Sequence, residues 1–169
     1  MTMPDERTRA LRFGWEFLLE LREEPNLTDE QRGTVAEILR HYPCAAEIKA
    51  WAKDCEQTRD PLFGAQMAPE EPQPGCFDRG VLAVAQTIQR GATTPQQRTL
   101  ALCRAYAFFR FGLSGSGRNH LPERLRRQIP YVLRHFPDNH EIQSWALSDA
   151  YVGRMNPGFR QWLMPQEKL

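Results

Sequence analysis

Apolar residues recur along much of this chain at intervals of three and four, the spacing of one face of an α-helix. In the two clearest runs an Arg-His pair closes the last turn, and Pro follows two residues after the His. Cations suit the negative end of a helix dipole and Pro cannot continue a helix, so each run predicts a helix that ends at a corner. The apolar positions of the two runs are Val35, Ile38, Leu39 and Tyr42, and then Ile129, Val132, Leu133 and Phe136.

The same pattern predicts three helices in the first part of the chain. A first helix starts at Pro4, since Pro suits the first turn of a helix. Thr28 and Gln31 have the spacing of a capping box, which predicts a second helix that runs to His41. A third helix is predicted over 45–56. In the second part of the chain, Asp138 and Glu141 have the same capping-box spacing, which predicts a helix that starts there.

One long motif occurs twice. The stretch Leu39–Pro43, with Trp51 behind it, returns as Leu133–Pro137 with Trp145. We therefore predict an all-α fold in which two similar three-helix units, 1–64 and 93–169, pack together. Between them, 65–92 is predicted to be a Pro-rich linker plus one additional helix over 77–90, which packs across the seam. The motif residues are interpreted as structural, at the corners and in the core: His41, Pro43, Trp51, His135, Pro137 and Trp145.

The first helix of the second unit differs from its counterpart. Four polar positions of the first unit, Arg9, Arg12, Glu16 and Glu20, become Leu100, Cys103, Ala107 and Phe111. A helix that is apolar nearly all round is usually buried. We therefore predict that helix 95–111 is central, covered by the other unit and by helix 77–90. The alternative is a face left open for a partner.

Composition and charge narrow the class of protein. The chain has 169 residues and four cysteines without zinc-ligand spacing, which suits one compact domain or two small ones with reduced thiols in the cytoplasm. Nothing approaches the roughly 18 apolar residues of a membrane span. Residues 2–54 carry 8 basic and 11 acidic side chains, whereas 93–149 carry 8 and 4. An acidic half joined to a basic half favours docking of the halves on each other, as a monomer or a dimer.

Several residues invite a chemical interpretation that their spacing does not support. The loop Gly112–His120 could hold an anion, but it lacks a phosphate-loop ending. A metal site at His135, Asp138 and His140 has no known signature. Neither His41 with Cys44 nor a site between the units around His41, His135 and Cys103 comes with the further groups that nucleophilic catalysis needs. We therefore predict no catalytic residues, no metal and no cofactor.

The candidate partner-binding residues lie in the second unit: Arg118, Arg124, Arg127, Phe159 and Trp162. A helix is predicted over 122–135, and Pro130 would kink it. Its basic face, Arg124–Arg134, could contact phosphates of a nucleic acid. A solvated face, or a dock for the acidic half, is the alternative interpretation of these arginines. The aromatic tail with Phe159 and Trp162 either covers the core of the second unit or binds a partner.

The opening Met1-Thr-Met-Pro-Asp-Glu-Arg-Thr-Arg-Ala10 and the later Leu39-Arg-His-Tyr-Pro43 resemble a family of short, uncharacterised bacterial proteins. That family opens with M-T-M-P-x-E-R-T-R-A and carries L-L-R-H-Y-P near mid-chain. The resemblance covers 1–64 and, more weakly, 93–160, and this chain departs from the family by containing two copies and a linker helix. The resemblance implies no activity, cofactor or site.

The sequence therefore favours a non-enzymatic module that binds another protein. A toxin-neutralising immunity protein, or another small antagonist, is one concrete form. The alternatives are a nucleic-acid-binding module that uses the Arg124–Arg134 face, and an enzyme with a site between the units.

Overall fold

A computed structural model describes residues 3–58, 67–69, 92–113 and 121–165. Within these ranges every regular element is a helix, which confirms the all-α fold class. None of these helices combines the length and the apolar character that crossing a membrane requires. The predicted helix over 77–90 lies outside the described residues. The helices are α1 (Pro4–Glu23), α2 (Asp29–His41), α3 (Ala45–Thr58), α4 (Pro95–Leu113), α5 (Glu123–Arg126), α6 (Ile129–Leu133) and α7 (Asn139–Met155).

Helix starts follow the capping residues that the sequence indicates. At α2, the Thr28 hydroxyl accepts the Gln31 amide at 3.2 Å, and Gln31 Oε1 accepts the Thr28 amide at 2.9 Å. At α7, Asp138 and Glu141 form the equivalent reciprocal pair at 2.8 and 3.2 Å. These bonds satisfy backbone donors that the first turn of a helix leaves without partners.

The segment from Pro122 to His135, predicted to be one helix kinked at Pro130, is instead two short helices. α5 ends at Arg126, a turn follows at 127–128, and α6 begins at Ile129 with Pro130 in its first turn. Proline has no N–H to donate, and its ring would clash with the carbonyl four residues earlier, which here belongs to Arg126. The helix is therefore interrupted rather than kinked.

The helices pack in matching sets. α1 packs against α2 and α3 of its own half, and α4 packs in the same way against α6 and α7. Across the halves, α1 contacts α6 and α2 contacts α4, so the first helix of each half lies against the second helical segment of the other. The interpretation as a duplicated unit stays a prediction, which this matched packing supports.

Two ion pairs across the halves join aligned residues. Arg7 contacts Glu141 at 3.2 Å, and Arg98 contacts Glu47 at the same distance. Each guanidinium also lies 5.5 Å from the centroid of a tryptophan ring. The hydroxyls of Thr8 and Thr99, the residues after these arginines, donate to the main-chain carbonyls of Ala68 and Met164.

The motif residues lie where the halves meet. Trp51 and Trp145 are buried with their rings 5.9 Å apart, edge to face, and the rings of Tyr42 and Phe136 are 6.5 Å apart. Pro43 and Pro137 are also buried. His41 Nδ1 lies 3.5 Å from the Thr93 hydroxyl, and His135 Nδ1 lies 3.6 Å from a carboxylate oxygen of Glu6. These contacts suit the structural role that the sequence indicates.

The prediction that helix 95–111 is buried on all sides was wrong. One face of α4 is buried, but Leu100 and Leu113 are exposed and Phe111 is 65% exposed. The described neighbours of α4 are α2, α6 and α7, which cover only part of its circumference. The more polar α1 contributes the larger number of its residues to the core, because α2, α3 and α6 surround it.

Candidate binding groove between helices α2 and α4

A groove of about 270 Å³ lies between the first turns of α2 and the second half of α4. Its walls are apolar and its rim is charged. On the rim, Arg104 contacts Glu37 at 3.2 Å, which leaves the carboxylate of Glu30 as the net charge. The lining residues from α2 are Glu30, Gln31, Thr34 and Glu37; those from α4 are Arg104, Ala107, Phe108, Phe111 and Gly112; Leu121 completes the set.

Gln31 is a buried polar side chain among the residues that line this groove. Its side chain is only 2% exposed, and its Oε1 is held by the Thr28 amide as part of the capping box. Its Nε2 is buried and has no hydrogen-bond partner among the residues that the structure describes. A buried donor without an acceptor costs roughly 1–3 kcal/mol. The capping box therefore gives the Gln31 Oε1 atom a partner, but it gives none to Nε2.

The aligned position in the other half carries an ion pair. There Glu20 stands where Phe111 lies in the second half, and Arg124 stands where Glu30 lies in the first. Glu20 accepts hydrogen bonds from Arg124 and from Gln128, the latter at 3.3 Å. The counterpart of Gln31 is Leu125, which is fully buried. Phe111 and Glu30 cannot form the corresponding ion pair, so no charged contact spans this place between α2 and α4.

The arginines predicted to bind a partner are mostly engaged within the chain. Arg124 is bonded to Glu20 and, at 3.2 Å, to Glu24, and the bond to Glu20 is the main cause of a raised pKa for Arg124. Arg127 is bonded to Glu123. Arg118 lies outside the described residues. The contacts of Arg124 fit the interpretation in which this basic face packs against the acidic first half of the chain.

Trp162, predicted as a partner-binding residue, is a core residue. It is 0% exposed, and its ring stacks on Trp51 with the centroids 6.2 Å apart. Its Nε1 donates to Asp54 at 2.8 Å, and its main-chain amide donates to Asp149. The tail therefore covers the core, with Phe159 half-buried beside it, because a large ring at the seam finds more contacts inside than outside.

The Asp149 carboxylate is the buried anchor of that tail. One of its oxygens accepts the main-chain amides of Trp162 and Leu163, at 3.2 and 2.9 Å. Burial raises the pKa of Asp149 to about 7, against the lowering effect of those two bonds. Asp54 on α3 adds a smaller repulsion that acts in the same direction as burial.

The residues considered for catalysis or metal binding have separate neighbours. His41 lies beside Thr93, His135 beside Glu6, and the Cys103 thiol 3.7 Å from the Gln143 amide. Burial raises the pKa of Cys103 and raises that of Cys55 to about 12, so both thiols are held protonated. In the described ranges, no three His, Cys, Asp or Glu side chains come together as a metal site.

Sequence reasoning missed an apolar stripe on the outer face of α7. Leu147, Tyr151 and Met155 lie on successive turns, and Leu147 and Met155 are 61% and 70% exposed. The residues of α3 that align with Leu147 and Tyr151 are the exposed Lys53 and Gln57. The signal was their spacing of four, on the side of the helix away from Trp145.

No protein-family model, curated protein or solved structure matches this chain. The resemblance of the opening and of the Leu39–Pro43 motif to a bacterial family therefore stays a prediction.

Proposed function

We propose that the protein is a non-enzymatic module that binds another protein through the outer surface of its second half. The carrying observation is an asymmetry of exposed apolar side chains. In the described part of the first half, Met3 is the single large apolar side chain that is exposed. The second half exposes Leu100, Phe111, Leu113, Tyr131, Leu147, Tyr151 and Met155.

The free energy that a partner gains by covering these side chains supports the proposal. Covering a large apolar side chain contributes roughly 1.5–3 kcal/mol, so a partner that covers even three of them gains several kcal/mol before the costs of association. Aromatic side chains such as Phe111 and Tyr151 are the type that dominates binding energy in protein interfaces. Single exposed apolar residues are ordinary, but a concentration of them in one half is typical of an interaction surface.

The basic face supports the nucleic-acid alternative less well. Phosphate binding needs cations that are available to release counterions. Arg124 and Arg127 are exposed but already bonded to carboxylates of the same chain. A phosphate backbone would have to displace Glu20, Glu24 and Glu123. An immunity-type antagonist remains the concrete form of the proposal, since it acts by covering a partner surface and needs no catalytic set.

Capture from the native host tests the proposal. The tagged wild-type chain is compared with Leu147→Lys/Met155→Lys, which makes the α7 stripe as polar as its α3 counterpart. Ala46→Lys/Gln57→Lys is the control, because it adds the same two charges at exposed positions on α3. We expect one protein at near-stoichiometric yield with the wild type and the control, and little with the α7 variant.

Circular dichroism of each variant checks that the helices are intact. Recovery of no specific protein by the wild type would remove the proposal. Equal recovery by all three chains would show that the α7 stripe is not part of the interface. Recovery of nucleic acid, sensitive to salt and to Arg127→Ala, would favour the alternative.

A further inference from the structure

We propose that Asp149 makes the docking of the C-terminal tail depend on pH: the tail is held tightly while this buried carboxyl is protonated, and it opens more often once the carboxyl is charged. The tail comprises 157–165, in which Trp162 and Leu163 are buried. This inference goes beyond the proposed function, because it concerns the chain by itself and needs no partner.

Two sets of hydrogen bonds hold the tail against the second half. One oxygen of Asp149 accepts the main-chain amides of Trp162 and Leu163, at 3.2 and 2.9 Å. The Thr99 hydroxyl donates to the carbonyl of Met164 at 2.9 Å and accepts its amide at 3.2 Å. Of these two sets, the one at Asp149 contains a group that titrates, so pH can act on the tail through it.

The first half has matching contacts without the charge. The Thr8 hydroxyl donates to the carbonyl of Ala68 at 2.7 Å, which corresponds to the threonine contact of the tail. The main-chain amide of Met67 makes a hydrogen bond to the sulfur of Cys55, the residue aligned with Asp149. Burial raises the pKa of Cys55 to about 12, so this contact stays neutral where the Asp149 contact changes its charge.

The charged and titratable groups around Asp149 and the tail come from three elements. They are Asp54, Cys55 and Glu47 on α3, Arg98 on α4, and Arg160 in the tail. Arg98 is engaged with Glu47 at 3.2 Å. On α1, Arg7 is engaged with Glu141, about two turns before Asp149 on α7. Asp54 is the charged group that acts on the Asp149 carboxyl, and its repulsion adds to the effect of burial.

Opening the tail exposes the Asp149 carboxyl to water, because the tail amides lie directly against its oxygen. With the tail closed, burial holds the pKa of Asp149 at about 7; with the tail open, the pKa returns towards the ordinary value of 3.8. Between these two values the closed form binds a proton that the open form has released. Raising the pH through this window therefore favours the open tail, by up to about tenfold per pH unit, and above about pH 7 the equilibrium becomes level.

An open tail uncovers an aromatic surface at the seam of the two halves. Trp162 is fully buried and stacks on Trp51, and the Trp51 ring meets that of Trp145 edge to face. Exposing such rings to water is unfavourable, so the open form is the minor one. The pH therefore sets how often this surface is available, and acid conditions keep it covered.

Hydrogen exchange of single main-chain amides measures the opening. The full ¹⁵N-labelled chain is followed by NMR between about pH 5 and about pH 8, and each exchange rate is compared with the intrinsic rate of that amide at the same pH. We expect the protection of the Leu163 amide to fall by roughly tenfold or more from about pH 5 to about pH 7, and to change little above that. The Met67 amide, bonded to the neutral thiol, is the internal control and should keep its protection.

Two variants separate the Asp149 carboxyl from its surroundings. Asp149→Asn keeps an oxygen that can accept the tail amides but cannot ionise, so the protection of Leu163 should become independent of pH. Asp54→Asn removes the neighbouring charge and leaves Asp149 buried, so the fall in protection should remain. If Asp149→Asn does not fold, the comparison of Leu163 with Met67 in the wild-type chain decides.

The inference is overturned if the protection of Leu163 is the same at about pH 5 and about pH 7. A change in parallel with Met67 would also overturn it, because the tail would then open only when the whole protein unfolds. An undiminished fall in Asp149→Asn would assign the effect to another group. These results are independent of the capture experiment, so this inference and the proposed function fail separately.

Discussion

Substitution of Gly14 by Ala probes the packing between the halves. A β-carbon at Gly14 would lie 2.6 Å from the Tyr42 hydroxyl and 2.8 Å from Cε2 of Phe136, and both rings are buried. The Tyr42 hydroxyl is also held at 2.8 Å by the carbonyl of Leu11. Overpacking of this kind costs roughly 1–3 kcal/mol, and disturbing the hydroxyl bond adds about 1 kcal/mol. The gain in helix propensity returns only about 0.5–1 kcal/mol.

Gly33→Ala is the matched control, because it makes the same change inside a helix where nothing lies within 4 Å of the added carbon. It should stabilise the protein by about 0.5–1 kcal/mol, while Gly14→Ala should destabilise it by roughly 1–3 kcal/mol. Urea denaturation followed by far-UV circular dichroism measures both. If both variants shift the free energy of unfolding in the same direction and by the same amount, α1 does not meet α6 and the Pro137 corner as described.

Three further predictions concern the tail and the basic face. Because burial raises the pKa of Asp149 to about 7, the stability contributed by its protonated form is complete below the unfolded value of 3.8 and is lost as the pH rises through about 7. Asp149→Asn should therefore flatten the dependence of Tm on pH in that window, and a variant curve parallel to the wild-type curve would contradict the burial. Trp162→Ala should lower the free energy of unfolding, measured by urea denaturation, by roughly 3–5 kcal/mol, as expected for a core tryptophan. A change near zero would show that the Trp162 side chain is not buried. Arg124→Ala should lower the urea midpoint more than Arg127→Ala does, and added salt should shrink the difference; equal midpoints at low salt would show that the bonds to Glu20 and Glu24 contribute nothing measurable.

Local signals predicted the helical elements well. The capping box of Thr28 and Gln31 and the one at Asp138 are properties of adjacent residues, so the sequence contains all that determines them. The burial of Trp51 and Trp145 also followed from their position on short helices behind a corner. Pro130 was recognised as a disturbance, but whether a proline kinks or divides a helix depends on the tertiary contacts on each side of it.

The binding groove could not be predicted, because it depends on which helix faces meet. The apolar character of α4 indicated burial, yet the other half covers only one side of it and leaves Phe111 exposed. Gln31 looked complete as a capping residue, and only the structure shows that its buried Nε2 lacks an acceptor among the described residues. Trp162 and Arg124 were assigned to a partner because their partners within the chain, Asp54 and Glu20, are more than a hundred residues away in sequence.

Hydrogen–deuterium exchange of the captured complex tests the central claim most directly. If the second half carries the interface, the partner should slow exchange in α4 and α7 and leave α3 unchanged. Slowed exchange confined to α1, α2 and α3 would place the interface on the first half and contradict the account.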